Sequence, residues 1–78
     1  MDERQMTFGE RAVGLTFNPS GDPLVVELKK LVASFIDECQ HCRDHTDDPE
    51  VKRMYSVAIT EAQTAQMWAV KAATWRKD

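Results

Sequence analysis

Apolar side chains recur every three or four positions in two long stretches of the chain, which is the spacing of amphipathic helices. The first stretch predicts a helix over 23–44, and its apolar face comprises Leu24, Leu28, Leu31, Phe35, Cys39 and Cys42, flanked by Val25, Val32 and Ile36. The second predicts a helix over 49–76 with inward positions Val51, Met54, Tyr55, Ala58, Ala62, Ala65, Trp68, Ala69, Ala72 and Trp75. The short connection between them predicts an antiparallel hairpin.

Each predicted helix begins at an aspartate followed by a proline, Asp22-Pro23 and Asp48-Pro49. The carboxylate accepts hydrogen bonds from backbone N–H groups that the first turn leaves unpaired, and proline at the first helical position lacks such an N–H group. Ahead of the first helix, residues 1–22 are expected to form an N-terminal arm and loop. A short helical lead is expected to end at Gly14.

The predicted fold is all-α: one helical-hairpin domain over residues 1–78, with a short N-terminal helix or arm. A chain of 78 residues is small, and domains of this size bury only about 60% of their unfolded surface. Two helices packed in one layer leave part of each apolar face in water, and the alanines of the second helix allow backbones to approach closely. The sequence therefore predicts assembly as a homo-oligomer.

Charge and hydropathy narrow the range of partners. Lys and Arg number 10 against 13 Asp and Glu, and a net charge of −3 does not favour binding to DNA or RNA polymers. No apolar run approaches the ~20 residues of a bilayer span, which predicts no membrane insertion. The polar N-terminus and the two cysteines favour a reduced, cytoplasmic location.

The segment Cys39-Gln40-His41-Cys42-Arg43-Asp44-His45 contains four side chains of metal-binding type. On a continuous helix only Cys39, Cys42 and His45 would converge, and three ligands do not close a structural zinc site. We therefore predict no metal and no cofactor, with a metal-binding regulator built on these three residues as an alternative. The chain also lacks the common nucleophile, metalloprotease and phosphate-loop motifs, so no enzymatic activity and no catalytic residue are predicted.

The loop Thr16-Phe17-Asn18-Pro19-Ser20 carries the parts of a nucleobase site: an aromatic ring, an amide and two hydroxyl groups. Three basic residues close in sequence would supply phosphate contacts: Arg11, Lys29 and Lys30. In the alternative interpretation, Phe17 fastens the loop to the hairpin, Asn18 and Ser20 cap turns, and the basic side chains are solvated.

The run from Ser56 to Ala72 resembles the characteristic helix of the small phage anti-CBASS proteins and their anti-Thoeris relatives. The matching elements are Ser56, Thr60, Glu61, Ala65, Met67-Trp68-Ala69 and Ala72. With the loop, Pro23 and the first helix, the likeness extends from about residue 14 to residue 75. The resemblance implies homo-oligomers, often hexamers, that hold cyclic dinucleotides between protomers, and cyclic trinucleotides in some members, without cleaving them.

The resemblance also implies site residues. The base-stacking loop tyrosine of the dinucleotide-binding members corresponds to Phe17, and their basic residue on the first helix corresponds to Lys29 or Lys30. The predicted ligand-binding set comprises Arg11, Thr16, Phe17, Asn18, Ser20, Lys29 and Lys30. The predicted function is sequestration of a cyclic di- or trinucleotide, or of a cyclic ADP-ribose derivative, in the host cell cytoplasm. The alternative is a protein-binding hairpin that docks a host or virion partner.

Overall fold

A computed structural model describes residues 5–76 of the chain. Its helices are α1 (Phe8–Ala12), α2 (Pro23–Asp44) and α3 (Pro49–Ala73), and α2 and α3 pack along each other as a hairpin. The all-helical hairpin predicted from the sequence is thus confirmed. Residues 1–4 of the expected N-terminal arm, and residues 77–78, lie outside the described part of the chain.

Aspartate side chains cap both long helices. The Asp22 carboxylate accepts a hydrogen bond from the backbone N–H of Leu24 at 2.9 Å, and the Asp48 carboxylate accepts one from the N–H of Glu50 at 2.9 Å. The short α1 begins with a reciprocal pair, in which Thr7 and Glu10 each accept from the other's backbone N–H. These caps place the start of every helix through contacts between near neighbours in sequence.

Helix α3 ends at Ala73, three residues before the end that the sequence pattern predicts at Arg76. At the end of the helix the Thr74 hydroxyl donates to the carbonyl of Val70 at 2.8 Å, and the Thr74 N–H also bonds back to Val70 and Ala72. Threonine side chains that bond back to a preceding carbonyl compete with continued helix. Residue 74 is therefore the C-cap.

The hydrophobic core is small and lies where α1 and its following turn cover the α2–α3 contact. Six apolar side chains are buried among the described residues: Val13, Val25, Ala33, Ile36, Cys39 and Ile59. Ile36 is fully buried at the centre of this cluster. Half-buried residues, including Tyr55 and Leu15, pack around it. A core of this size gives a short chain only marginal stability.

Helix α1 is seated on α2 through Gly9. The backbone N–H of Gly9 donates to the Asp37 carboxylate at 2.7 Å, and a Cβ atom at position 9 would overlap the carbonyl oxygen of Ala33. Helix α3 joins this contact, because the Gln63 amide donates to the carbonyl of Ala12 at 3.2 Å. Only glycine permits this close approach of the two helices.

The burial pattern corrects the predicted inward faces of both helices. Several residues expected to face inward are exposed in the single chain: Leu24, Leu31, Phe35, Met54, Trp68 and Trp75. Conversely, the polar residues Lys29 and Gln66 are buried. The described residues extend only 12 Å along their shortest axis, and the helix contacts of α3 are mainly with α2, while α2 also contacts α1.

The exposed apolar positions include a continuous strip, here called the apolar groove, formed by Leu31, Val32, Phe35, Ala62 and Ala65. Leu31 is 70% exposed and Phe35 53% exposed. Exposed apolar patches of this kind usually mark an interaction surface. No helix among residues 5–76 is both long enough and apolar enough to cross a membrane.

Replacing Gly9 by alanine is expected to lower the free energy of unfolding by about 1–3 kcal/mol, because the added methyl group has no space against the Ala33 carbonyl. Chemical denaturation at one fixed protein concentration measures the change. Ser34→Ala, on the exposed face of α2, is the control and should stay within about 0.5 kcal/mol of the unmodified chain. Equal stability of the two variants would contradict the close packing of α1 on α2.

Candidate functional site

A cavity of about 400 Å³ lies at the end of the hairpin remote from the α2–α3 turn. The loop ahead of α2, the start of α2 and the end of α3 surround it. It is lined by Val13, Phe17, Asn18, Pro19, Ser20, Val25, Lys29, Gln66, Met67, Val70 and Thr74. Its volume lies at the low end of the range of roughly 300–1,000 Å³ typical of small-molecule sites. This cavity is the candidate ligand site.

Lys29 holds the loop against α2. Its side chain is buried, and its ammonium group donates hydrogen bonds to the carbonyl of Gly14 at 2.8 Å and to the carbonyl of Phe17. Burial lowers the pKa of Lys29, since desolvation disfavours the charged ammonium. In the single chain the Lys29 ammonium is thus engaged by two loop carbonyls, and its contact with a phosphate stays a prediction.

The side chains of Asn18 and Ser20 also shape the loop. The Asn18 amide donates to the carbonyl of Asp22 at 3.0 Å, and the Ser20 hydroxyl donates to the Asn18 carbonyl oxygen at 2.7 Å. Gly21, at φ +68°, closes the turn with a backbone bond to Asn18. The turn-capping interpretation of Asn18 and Ser20 therefore describes their contacts in the single chain, although both still line the cavity.

Phe17 differs from its neighbours because its ring makes little contact with the rest of the chain. The side chain is 71% exposed and borders the cavity, with the Lys29 ammonium 5.7 Å from the ring centroid. The backbone of Phe17 is fixed by its carbonyl bond to Lys29 and by its N–H bond to Gly14. A fixed backbone that carries an exposed ring is suited to stacking on a flat ligand.

The structure divides the predicted ligand set. Phe17, Asn18, Ser20 and Lys29 line the cavity together. Arg11 and Thr16 instead border a separate groove, formed with Met6, Glu10, Gly14 and Leu15. Lys30 is exposed on α2 and is not among the residues that line the cavity. Of the three basic residues expected to meet phosphate, Lys29 therefore lies beside the Phe17 ring, while Arg11 and Lys30 lie outside the cavity.

Four cavity residues at the end of α3 were not predicted as ligand contacts: Gln66, Met67, Val70 and the C-cap residue Thr74. Met67 was noted only for the family resemblance. These contacts were missed because the inward face of α3 was assigned from its alanines and tryptophans. Gln66, Val70 and Thr74 recur at intervals of four, which is the spacing of one helix face, and this was the available signal. Helix α3 therefore supplies a wall of the cavity that the sequence analysis assigned to the loop and α2 alone.

The cysteine and histidine segment shows no metal-binding arrangement. No group of three or more Cys, His, Asp or Glu side chains among residues 5–76 is placed to hold a metal. Burial raises the pKa of the Cys39 thiol, and nearby Cys42 and Glu38 raise it further, so the thiol stays protonated at neutral pH. The imidazole rings of His41 and His45 stack with centroids 4.1 Å apart. The metal-binding alternative gains no support from these contacts.

The fold and the cavity define a small helical-hairpin protein with a candidate ligand site bordered by the loop ahead of its first long helix. The family model described as "Acb2/Tad1, hairpin domain" matches residues 10–74. This match covers most of the chain, which therefore belongs to the Acb2/Tad1 hairpin family. The resemblance to anti-CBASS and anti-Thoeris proteins is thus confirmed. No curated protein and no solved structure matches the chain.

Lys29→Met is expected to lower the free energy of unfolding by about 1.5–3 kcal/mol, because two loop carbonyls lose a charged donor. Lys30→Met is the matched control, since Lys30 is adjacent and exposed, and should change stability by less than about 0.5 kcal/mol. Chemical denaturation gives the free energies, and amide hydrogen exchange over residues 14–22 reports loosening of the loop. Equal effects of the two substitutions would contradict the anchoring role of Lys29.

Proposed function

We propose that the protein sequesters a cyclic di- or trinucleotide, or a cyclic ADP-ribose derivative, by binding it intact. Membership of the Acb2/Tad1 hairpin family supports this proposal. The observation that carries it for this chain is the exposed Phe17 ring at the edge of a cavity sized for a small molecule. The function is stoichiometric binding in the host cell cytoplasm, so it needs no catalytic group.

The proposed roles follow from which groups of each side chain remain available. The Phe17 ring stacks on a base, while Asn18 retains a second amide N–H beyond the one that holds the loop. Ser20 offers its hydroxyl oxygen from the cavity lining, and Thr16 offers a hydroxyl group from the separate groove. Arg11 and Lys30 are exposed and lie outside the cavity. We therefore assign phosphate neutralisation to Arg11 and Lys30 at the rim or from a neighbouring copy.

A homo-oligomer forms the second part of the proposal. The apolar groove leaves Leu31 and Phe35 in water beside the small residues Ala62 and Ala65, a surface to which another hairpin can pack closely. The cavity of about 400 Å³ is also small for a ligand with two or three nucleosides. A second copy would enclose the part of the ligand that one chain leaves exposed, as in the hexamers that the family resemblance implies.

Phe17→Ala is expected to weaken binding of the recognised cyclic nucleotide by about 1–3 kcal/mol, which is roughly 5-fold to 150-fold, because base stacking is lost. The measurement is isothermal calorimetry against cyclic di- and trinucleotides and cyclised ADP-ribose. Phe17→Tyr keeps the ring and should keep the affinity. Because Phe17 is exposed, neither substitution should change stability by more than about 0.5 kcal/mol.

Two outcomes of this calorimetry would contradict the proposal. Unchanged affinity in folded Phe17→Ala protein would remove the stacking role. If a folded sample of the unmodified chain shows no binding to any nucleotide of the panel, nucleotide sequestration is rejected. The protein-binding hairpin would then be the better hypothesis, and the apolar groove would be its docking surface.

Phe35→Lys is expected to reduce the mass in solution to that of a single chain, because a charged side chain in the apolar groove opposes packing of a second copy. Light scattering coupled to size exclusion measures the mass. Ser34→Lys introduces the same charge one residue away, beside Asp37 and Glu38 on the polar side of α2, and should leave the assembly intact. If light scattering shows that the unmodified chain has the mass of a single chain, the proposed homo-oligomer is rejected.

A further inference from the structure

Gln66 is a buried polar residue whose amide makes no hydrogen bond to another side chain or backbone group within residues 5–76. The residue is 7% exposed and lines the cavity from α3. Among the described residues no hydrogen bond engages the Gln66 side chain, although the neighbouring Gln63 amide donates to the carbonyl of Ala12. An amide that has no partner within the protein bonds instead to water or to a ligand.

Gln66 lines the cavity and keeps a small accessible fraction of its surface. No fully enclosed side-chain nitrogen or oxygen within residues 5–76 lacks a hydrogen-bond partner. The unpaired amide atoms of Gln66 must therefore keep contact with the small accessible fraction of this residue, and the cavity provides that access. The amide is thus placed to bond to whatever enters the cavity.

The other polar groups around the cavity are already used by the chain itself. The Lys29 ammonium holds two loop carbonyls, Ser20 donates to Asn18, and the Thr74 hydroxyl donates to Val70. The remaining wall consists mainly of apolar side chains: Val13, Val25, Met67 and Val70. Gln66 is therefore the wall residue whose amide makes no hydrogen bond within the described residues, whereas Asn18 uses part of its amide to hold the loop. The Phe17 ring supplies the stacking surface on the same cavity.

We propose that the Gln66 amide reads the edge of an adenine base that stacks on Phe17, an inference that rests on the proposed function. A glutamine amide matches adenine with two parallel bonds, since its oxygen accepts from the adenine amino group while its nitrogen donates to a ring nitrogen. Guanine paired to the same amide leaves a further amino group unpaired against the apolar wall, at a desolvation cost. The ligand class is an adenine-containing cyclic nucleotide.

The test compares base selectivity between the unmodified chain and two variants, using calorimetry with cyclic di-AMP, cyclic di-GMP and cyclised ADP-ribose. Gln66→Met keeps the length and flexibility of the side chain but removes both hydrogen bonds. It should weaken binding of the adenine ligands by about 5-fold to 150-fold and change binding of cyclic di-GMP by less than about 3-fold. Gln66→Glu keeps the acceptor and loses the donor, so it should weaken adenine binding as well.

Gln63→Met is the control for a purely structural effect. It removes the hydrogen bond to Ala12 and should lower the melting temperature, but it should leave the ratio of adenine to guanine affinities unchanged. Two outcomes would overturn the role of Gln66 alone. In the first, the unmodified chain binds a cyclic nucleotide but prefers guanine. In the second, Gln66→Met weakens binding of the adenine and guanine ligands equally. An unmodified chain that binds no member of the panel would overturn the proposed function itself.

Discussion

The buried ammonium of Lys29 is the interaction on which the candidate site depends. It donates to the carbonyls of Gly14 and Phe17, which belong to opposite ends of one turn of the loop. An unpaired buried charge would be strongly unfavourable, so the loop and the lysine stabilise each other. Because the same contact fixes the backbone of Phe17, the position of its exposed ring is a consequence of the Lys29 bonds rather than of packing by the ring itself.

The thin shape of the hairpin is the second constraint. One layer of helices buries six apolar side chains among the described residues and leaves larger ones such as Leu31, Phe35 and Trp68 in water. The cavity lies at one end of the hairpin, while the apolar groove runs along its side. The candidate ligand site and the surface proposed to contact further copies share no lining residue and are therefore separate.

The polar groups of the loop and of α3 have different roles around the cavity. Asn18 and Ser20 bond mainly to the loop, where they hold its shape, whereas the Gln66 amide has no partner among the described residues. A loop that is already bonded to itself loses little conformational freedom when a ligand binds. In the proposed arrangement the loop supplies a stacking surface, and the wall formed by α3 discriminates between bases.

The sequence was sufficient for the features that depend on near neighbours: the starts of α2 and α3 at their Asp-Pro pairs, the all-helical hairpin, and the family likeness of residues 56–72. Capping bonds join residues two or three positions apart, so the local sequence encodes them. The burial of Lys29 and Gln66 was decided by tertiary structure. Lys29 reaches a carbonyl 15 residues away, and Gly9 docks on Asp37 across 28 residues. Helical periodicity identifies an apolar face, but only packing determines which part of that face a neighbour covers.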